Sequence, residues 1–372
     1  MRLPFIARTV TITVGIDMGH DSIKAVELEF GANGLCVSGL GKVPTPPHSI
    51  SEGQVVAIDQ VSTAIRDLWR LAGIRTNQVV ASVSGQSVFV RTVQMPRMNE
   101  STLKKTIPWE AKKYFNFNPE DTVLECSVVG TSETNGNREM DVMLIAAPKA
   151  LVDSRVAALE ASGLEPMVVD VGSLAYLRAL LYKGRDKGTT VAVVDLGGSY
   201  TEVVIACDGK HTFQRTIPLG GNSAVNSMVT NLGYSHEQAV ALLQSMSAAD
   251  IMAASPGMRD GASVTRGLLD ELLREIRRTL NFYQSQYPEG SREGTVDKVL
   301  LCGGFSKLAG IAGMFSEVLG IPTELAYPPE SMIGRINPEI AEVWNDDFPF
   351  YVQAFGLAAW EYEASGRRKS EG

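Results

Sequence analysis

The chain has 372 residues, 44% of them hydrophobic and 20% charged, enough to bury a sizeable core and to build two or more lobes. Its 42 acidic residues outnumber 34 basic ones for a formal net charge of −8, and no basic block exceeds the "GRRK" near the C-terminus, so nucleic acid is not expected as a partner. No run of 18 apolar residues occurs, so no direct membrane insertion is expected.

The opening "MRLPFIARTVTITVGID" carries Arg2 and Arg8 but only a short apolar patch and no small-residue cleavage site, which makes a poor signal peptide and points to the cytosol. From there "VTITVGID", "SIKAVELEF" and "LCVSGLGKV" predict three consecutive strands, joined by an Asp-x-Gly corner and by "GANG". A helix follows in "AIDQVSTAIRDLWRLAGI", then a strand in "QVVASVSG". Near Arg91 the character changes to "VRTVQMPRM", a charged helix in "NESTLKKTIPWEAKKYFNF", a strand in "TVLECSVVG", a polar loop around "TSETNGNRE" and "DVMLIAAP", together an inserted small α+β subdomain. Its aromatics Trp109, Tyr114, Phe115 and Phe117 lie among lysines; they suit either an exposed binding surface or the subdomain's own small core. "KALVDSRVAALEASG" and "EPMVVDVG" lead back to the first lobe.

The second half repeats the opening of the first. "TTVAVVDLGGSYTEVVIACDGK" is again strand, aspartate, glycine corner, returning strand and turn, with a third strand near "KHTFQRTIPLGG". Helices follow up to "GLLDELLREIRRTLNFYQSQY", where Leu268, Leu272, Ile276 and Leu280 recur about one turn apart. "VDKVLLCGGFSKLAGIAGMFSEVLGIPTELA" predicts strand, Gly-Gly corner, helix and short strand. Tyr327 to Phe350, with four prolines, is expected to be mostly loop, and "YVQAFGLAAWEYE" a helix whose small residues admit another backbone.

The corners have a chemical rationale. Carboxylates beside a nucleotide's phosphates would repel them unless a divalent cation intervenes, and two aspartates on facing lobes, Asp17 and Asp195, can share one. Gly19, Gly197 and Gly198 let the turning backbone approach phosphate oxygens, Lys24 supplies a point charge, and Gly303 and Gly304 at the mouth of a helix would lie against a purine or ribose. The scattered Cys36, Cys126, Cys207 and Cys302 make neither a zinc site nor a disulfide framework, and the four histidines are equally dispersed. "GLCVSGLGK" is a false phosphate loop, since Val43 stands where Ser or Thr is needed.

The segments "GIDMGHDSIK", "VVDLGGSYTEV" and "LLCGGFSKLAGI" resemble the two phosphate motifs and the adenosine motif of the actin, Hsp70 and sugar-kinase superfamily. Together with "PWEAKKYFNFNPED", "LIAAPKALVDSRVAALEASGLEPMVVDV", "IPLGGN" and "EIRRTLNFYQSQ", they are similar to the PilM family of type IV pilus assembly proteins, over about Val14 to Trp360. The resemblance implies an α/β fold, an actin-like/Hsp70-like two-lobed nucleotide-binding fold. Its division would be lobe I at 1–90 with a return segment 166–188 and a C-terminal helix 350–364, an inserted subdomain at 91–165, a lobe II core at 189–225 and 295–326, a helical subdomain at 226–294, and a flexible tail at 365–372.

It further implies ATP with Mg2+ as ligand, held by Asp17, Gly19, His20, Asp21, Lys24, Asp195, Gly197, Gly198, Gly303 and Gly304, with Gly220 and Gly221 lining the ribose side and Asp17 and Asp195 meeting the metal. The implied partner is the N-terminal cytoplasmic peptide of a PilN-like bitopic membrane protein, bound beside the inserted subdomain, with pilus assembly motor components as further candidates and a place at the inner membrane through that partner. His20 and Asp21 depart from the small hydroxyl residues usual at this corner, and Asp21 adds negative charge beside the phosphates. A filament-forming cell-division-type homologue and a sugar-kinase-like phosphotransferase remain as rivals. Hydrolysis is expected to be slow, because Gly172 stands where relatives carry a water-orienting glutamate or glutamine, and Asp170 begins about 6 to 7 Å farther back along the strand.

Overall fold

The computed structural model describes residues 11–31, 34–115, 118–134, 137–181, 188–255 and 258–361; Phe117 and the tail at 365–372 lie outside the described residues. The first lobe starts as an antiparallel meander of β1 (Thr11–Met18), β2 (Ser22–Gly31) and β3 (Gly34–Pro44), with Asp17 opposite Lys24. A two-rung hairpin, β4 (Ile50–Ser51) and β5 (Gln54–Val55), turns through Glu52 and Gly53, both at positive φ. Helix α1 (Ile58–Ala72) buries Val61, Ile65 and Leu68, four and three residues apart, against the meander. Strand β6 (Gln78–Val83) then pairs parallel with β1.

The insertion is built from β7 (Phe89–Pro96), α2 (Glu100–Ala111), β8 (Thr122–Thr134) and β9 (Asn137–Pro148), the strands ordered β7-β9-β8. Asn99 caps α2 by accepting from the Thr102 amide at 2.8 Å. The expected polar loop is instead a hairpin: Ser132, Glu133 and Thr134 remain paired with Glu139, Arg138 and Asn137. The ladder satisfies the backbone there, so polar residues do not require a loop. The charged helix is also shorter than expected, ending at Ala111.

The chain returns through α3 (Lys149–Ala161), β10 (Glu165–Val171) and α4 (Gly172–Leu180), giving a sheet ordered β10-β6-β1-β2-β3. The second lobe repeats the plan with β11 (Thr190–Leu196), β12 (Thr201–Cys207) and β13 (Lys210–Ile217), followed by α5 (Gly221–Leu232), α6 (His236–Ser245), α7 (Ala248–Ala253) and α8 (Gly261–Gln284). Leu268, Leu272, Ile276 and Leu280 of α8 are buried as their spacing predicts. Then come β14 (Lys298–Cys302), α9 (Ile311–Leu319) and β15 (Thr323–Leu325), and the sheet order β13-β12-β11-β14-β15 matches the first lobe's β3-β2-β1-β6-β10.

The stretch from Tyr327 to Phe350 is not mainly loop. It adds β16 (Ile333–Ile336) in parallel to β3, and α10 (Ala341–Ala358) begins well before residue 350. Pro349 lies inside α10, where it cannot donate to the Asn345 carbonyl; the Tyr327 hydroxyl donates to that carbonyl instead, at 3.2 Å. The small residues of α10 do admit close backbones: a Cβ on Gly356 would stand 1.9 Å from the Ala175 carbonyl oxygen, and one on Gly15 would stand 2.0 Å from that of Ala354. Helices α4 and α10 thus share one core with both sheets, through Tyr176, Leu180, Phe348 and Phe355 against Val26 and Leu28 on one side and Val193 and Val204 on the other.

Candidate functional site

Both glycine corners open into one cleft between the lobes, which Asp17, Gly19, His20, Asp21, Lys24, Asp195, Gly197, Gly198, Gly303 and Gly304 line together. At the first corner the Gly19 amide donates to the Ser22 carbonyl at 3.1 Å, and at the second the Gly197 amide donates to that of Tyr200 at the same distance. The hairpins therefore close with the same backbone bond. Gly220 and Gly221, placed on the ribose side by resemblance, stand behind the second corner: the amides of Gly221 and Asn222 donate to the carbonyls of Gly197 and Gly198 at 3.1 and 2.9 Å. Gly303 at φ 86 turns the chain after β14, and a Cβ there would meet the Asp195 carboxylate at 2.2 Å.

The charges differ between corners. Lys24 donates to Asp17 at 2.8 Å, both side chains being 12% exposed. Burial alone would lower the Lys24 pKa, but the Asp17 charge and hydrogen bond more than offset it, and Lys24 is held charged. On the second lobe Glu202 stands opposite Asp195, as Lys24 stands opposite Asp17. Burial, then the Asp195 carboxylate, push Glu202 up to about 8. Burial also raises Asp195, against the Tyr176 hydroxyl, which donates to it at 2.8 Å. The same hydroxyl lies 2.6 Å from the amide oxygen of Gln353 on α10, and the Gln353 amide nitrogen donates to Ser82 Oγ on β6 at 2.7 Å, so a polar chain runs from the second corner to the first lobe's sheet.

His20 and Asp21 reach across the cleft. His20 meets Tyr200 edge to face at 5.2 Å, and Asp21 accepts from the Asn222 side chain at 2.6 Å. Phe350 closes the mouth beside Gly304, with Lys42 from the first lobe 4.3 Å and Lys307 from the second 5.4 Å from its ring centroid. Asp170 does not enter the cleft's chemistry, because Arg178 pairs with it at 2.9 Å. Gly172 opens α4, and a Cβ there would meet Ser84 Oγ at 2.1 Å.

Among the cleft residues that went unrecognised in the sequence, Ser84, Arg155, Tyr176, Glu202 and Gln353 bear on its chemistry. Glu202 had a signal, since it follows Asp195 by 202 − 195 = 7 residues as Lys24 follows Asp17 by 24 − 17 = 7. The other four enter from helices or strand ends whose direction depends on tertiary packing. On the insertion, Trp109 is 72% exposed with Lys112 beside its ring, whereas Phe115 is buried and stacks on Phe89. The two rings thus divide the roles left open for the aromatics. Among the described residues no helix is long and apolar enough to cross a membrane.

Comparisons with known proteins place this geometry. The cell division protein FtsA of Bacillus subtilis is 24% identical over 61% of this chain and 56% of its own length, so the chain spans little more than half of that relative. FtsA of Pseudomonas aeruginosa is 24% identical over 85% of this chain and 82% of its own. A solved PilM-PilN type IV pilus biogenesis complex superposes with a TM-score of 0.80 and 26% identity, covering 93% of this chain and 97% of that one. MreB 5 of Spiroplasma citri bound to AMPPNP, at 12% identity and a TM-score of 0.51 over 97% of this chain and 99% of its own, shares the fold, which is the two-lobed actin-like α/β fold. The model of the family described as type IV pilus assembly protein PilM matches residues 15–362, and the chain belongs to that family.

Proposed function

We propose that this protein is an ATP-binding, actin-like scaffold of the type IV pilus inner-membrane assembly complex. It would act on the cytoplasmic side, held at the membrane by the N-terminal cytoplasmic peptide of a PilN-like bitopic protein. The observation that carries the reading is the likeness, over nearly all of both chains, to a complex of PilM with PilN. The cleft suits a nucleotide: two glycine corners approach each other closely, and Ser84 Oγ is buried in its wall without a hydrogen-bond partner among the described residues. Asp17 and Asp195 would meet Mg2+, which would neutralise charge between carboxylates and phosphates. Among the described residues no three His, Cys, Asp or Glu side chains converge on one point, which fits a cation carried in with the phosphates.

The peptide would dock beside the insertion, its main chain along a sheet edge and an apolar side chain on Trp109. The test is calorimetry of the full chain against N-terminal peptides of bitopic membrane proteins from the same operon. One peptide is expected to bind, and Trp109→Ala to weaken it at least tenfold while leaving nucleotide binding intact. If no such peptide binds the parent, the reading fails. The kinship with FtsA favours a second reading, a filament-forming homologue, which ATP-dependent sedimentation of the protein alone would reveal.

A further inference from the structure

The buried arginine in the cleft wall has more hydrogen-bonding capacity than the fold uses. Arg155 lies on α3, is 5% exposed, and lines the cleft near Gly19 and His20. Its Nε and one terminal nitrogen donate to the Gly53 carbonyl at 3.2 and 2.8 Å, and the other terminal nitrogen donates to the Met18 carbonyl at 3.2 Å. A guanidinium has five N–H groups, so two remain without a bond among the described residues. All its acceptors are neutral. Asp17, the carboxylate whose field reaches it, is paired with Lys24 at 2.8 Å. Burial brings Arg155 down to about 10, which still leaves it charged at neutral pH.

A merely structural role, tying the β4-β5 turn to the end of β1, accounts for three N–H groups and leaves a desolvated cation without a counter-ion. The wall beside it also holds Ser84 Oγ, buried with no partner, and Gly85, where a side chain would meet nothing within 4 Å. A guanidinium fork, an orphaned hydroxyl and open space in the lining of one cleft suit a tetrahedral oxyanion. We propose that Arg155, assisted by Ser84, binds the terminal phosphoryl group of a nucleoside triphosphate held in the cleft. The inference rests on the nucleotide reading above. Gly303 and Gly304 on the second lobe are assigned to the nucleoside, so the phosphate beside the first lobe's corner is the one farthest from the base.

The consequence is a route from nucleotide state to partner surface. Strand β9, the central strand of the inserted sheet, runs into α3 at Pro148 and Lys149 with no intervening loop, and Arg155 follows within two turns. A phosphoryl group that fixes Arg155 fixes the helix on which the insertion is mounted.

Calorimetry of Mg-ATP and Mg-ADP with the full chain tests this, on the parent and on Arg155→Gln, Arg155→Lys and Ser84→Ala. The parent is expected to favour ATP. Arg155→Gln should lose at least tenfold for ATP and less than threefold for ADP, and Arg155→Lys should regain part of the loss, since it keeps the charge without the fork. Ser84→Ala should shift the ATP-to-ADP ratio in the same direction by about threefold, and it carries the test with Arg155→Lys if Arg155→Gln does not fold. An unchanged ATP-to-ADP ratio in folded variants overturns the inference alone. A parent that binds neither nucleotide overturns the nucleotide reading and this inference with it.

Discussion

The first and second corners of the cleft share strand order, register and closing backbone bond, yet the position opposite the corner aspartate holds a lysine in one and a glutamate in the other. Corner one is balanced within its own hairpin by Lys24 and Asp17. Corner two places two carboxyls opposite each other, with the Tyr176 hydroxyl and the Cys302 thiol donating to Asp195. Repetition preserved the backbone, which any sequence of this pattern can form, while the charges diverged. A buried acid pair keeps one member protonated or takes up a cation. The second corner is thus the part of the cleft whose charge depends on a proton or a cation.

The largest contrast follows from one substitution made in both places. Asp17→Asn leaves Lys24 buried without its partner and should cost about 3 kcal/mol of stability. Asp195→Asn removes one of two like charges and keeps an acceptor for Tyr176, so its stability at pH 8 should equal or exceed the parent's. Both variants should weaken Mg-ATP binding. Urea unfolding at pH 8 with calorimetry separates these effects; equal destabilisation by the two changes would break the comparison.

A smaller effect tests the acid pair directly. The folded pKa of Glu202 is raised to about 8 from an unfolded value near 4.5, so the folded state binds the proton more tightly. The stability that this proton confers is fully present below about pH 4.5 and is lost as pH rises through about 8. Glu202→Gln removes that dependence. Between pH 5 and pH 8 the parent's Tm should fall more steeply than the variant's, by about 1–2 °C for each kcal/mol involved. Parallel profiles would show that Glu202 ionises freely.

Much of this architecture was legible in the chain. The two meanders and the corners could be read because strand periodicity and the Asp-x-Gly pattern recur at matching distances, and α8 because its leucines repeat every turn. The early start of α10 was hidden by Pro349, which breaks a helix locally unless something such as the Tyr327 hydroxyl satisfies the freed carbonyl. Arg155 carried no signal of its own in the sequence, and only the packing of α3 turns it into the cleft. Glu202 was legible by analogy with Lys24, but a carboxylate is not the group expected opposite a carboxylate.

The smallest expected effect is on turnover. Gly172 has no side chain to orient water, Asp170 is held by Arg178, and the Gln353 amide is engaged by Tyr176 and Ser82. Among the described residues Glu202 is then the uncommitted carboxyl of the cleft wall, and at pH 7 burial keeps it mostly protonated and so a poor acceptor for a proton from water. A missing base typically lowers a rate by about 10² to 10⁴, so phosphate release should stay far below about 1 s⁻¹ at pH 7, with or without partner peptide. As pH rises past about 8 the Glu202 carboxylate forms, and any residual hydrolysis should rise with it in the parent and stay flat in Glu202→Gln. Release at about 1 s⁻¹ or faster at pH 7 would refute the slow-turnover reading, and a pH rise that survives Glu202→Gln would place the base elsewhere in the cleft.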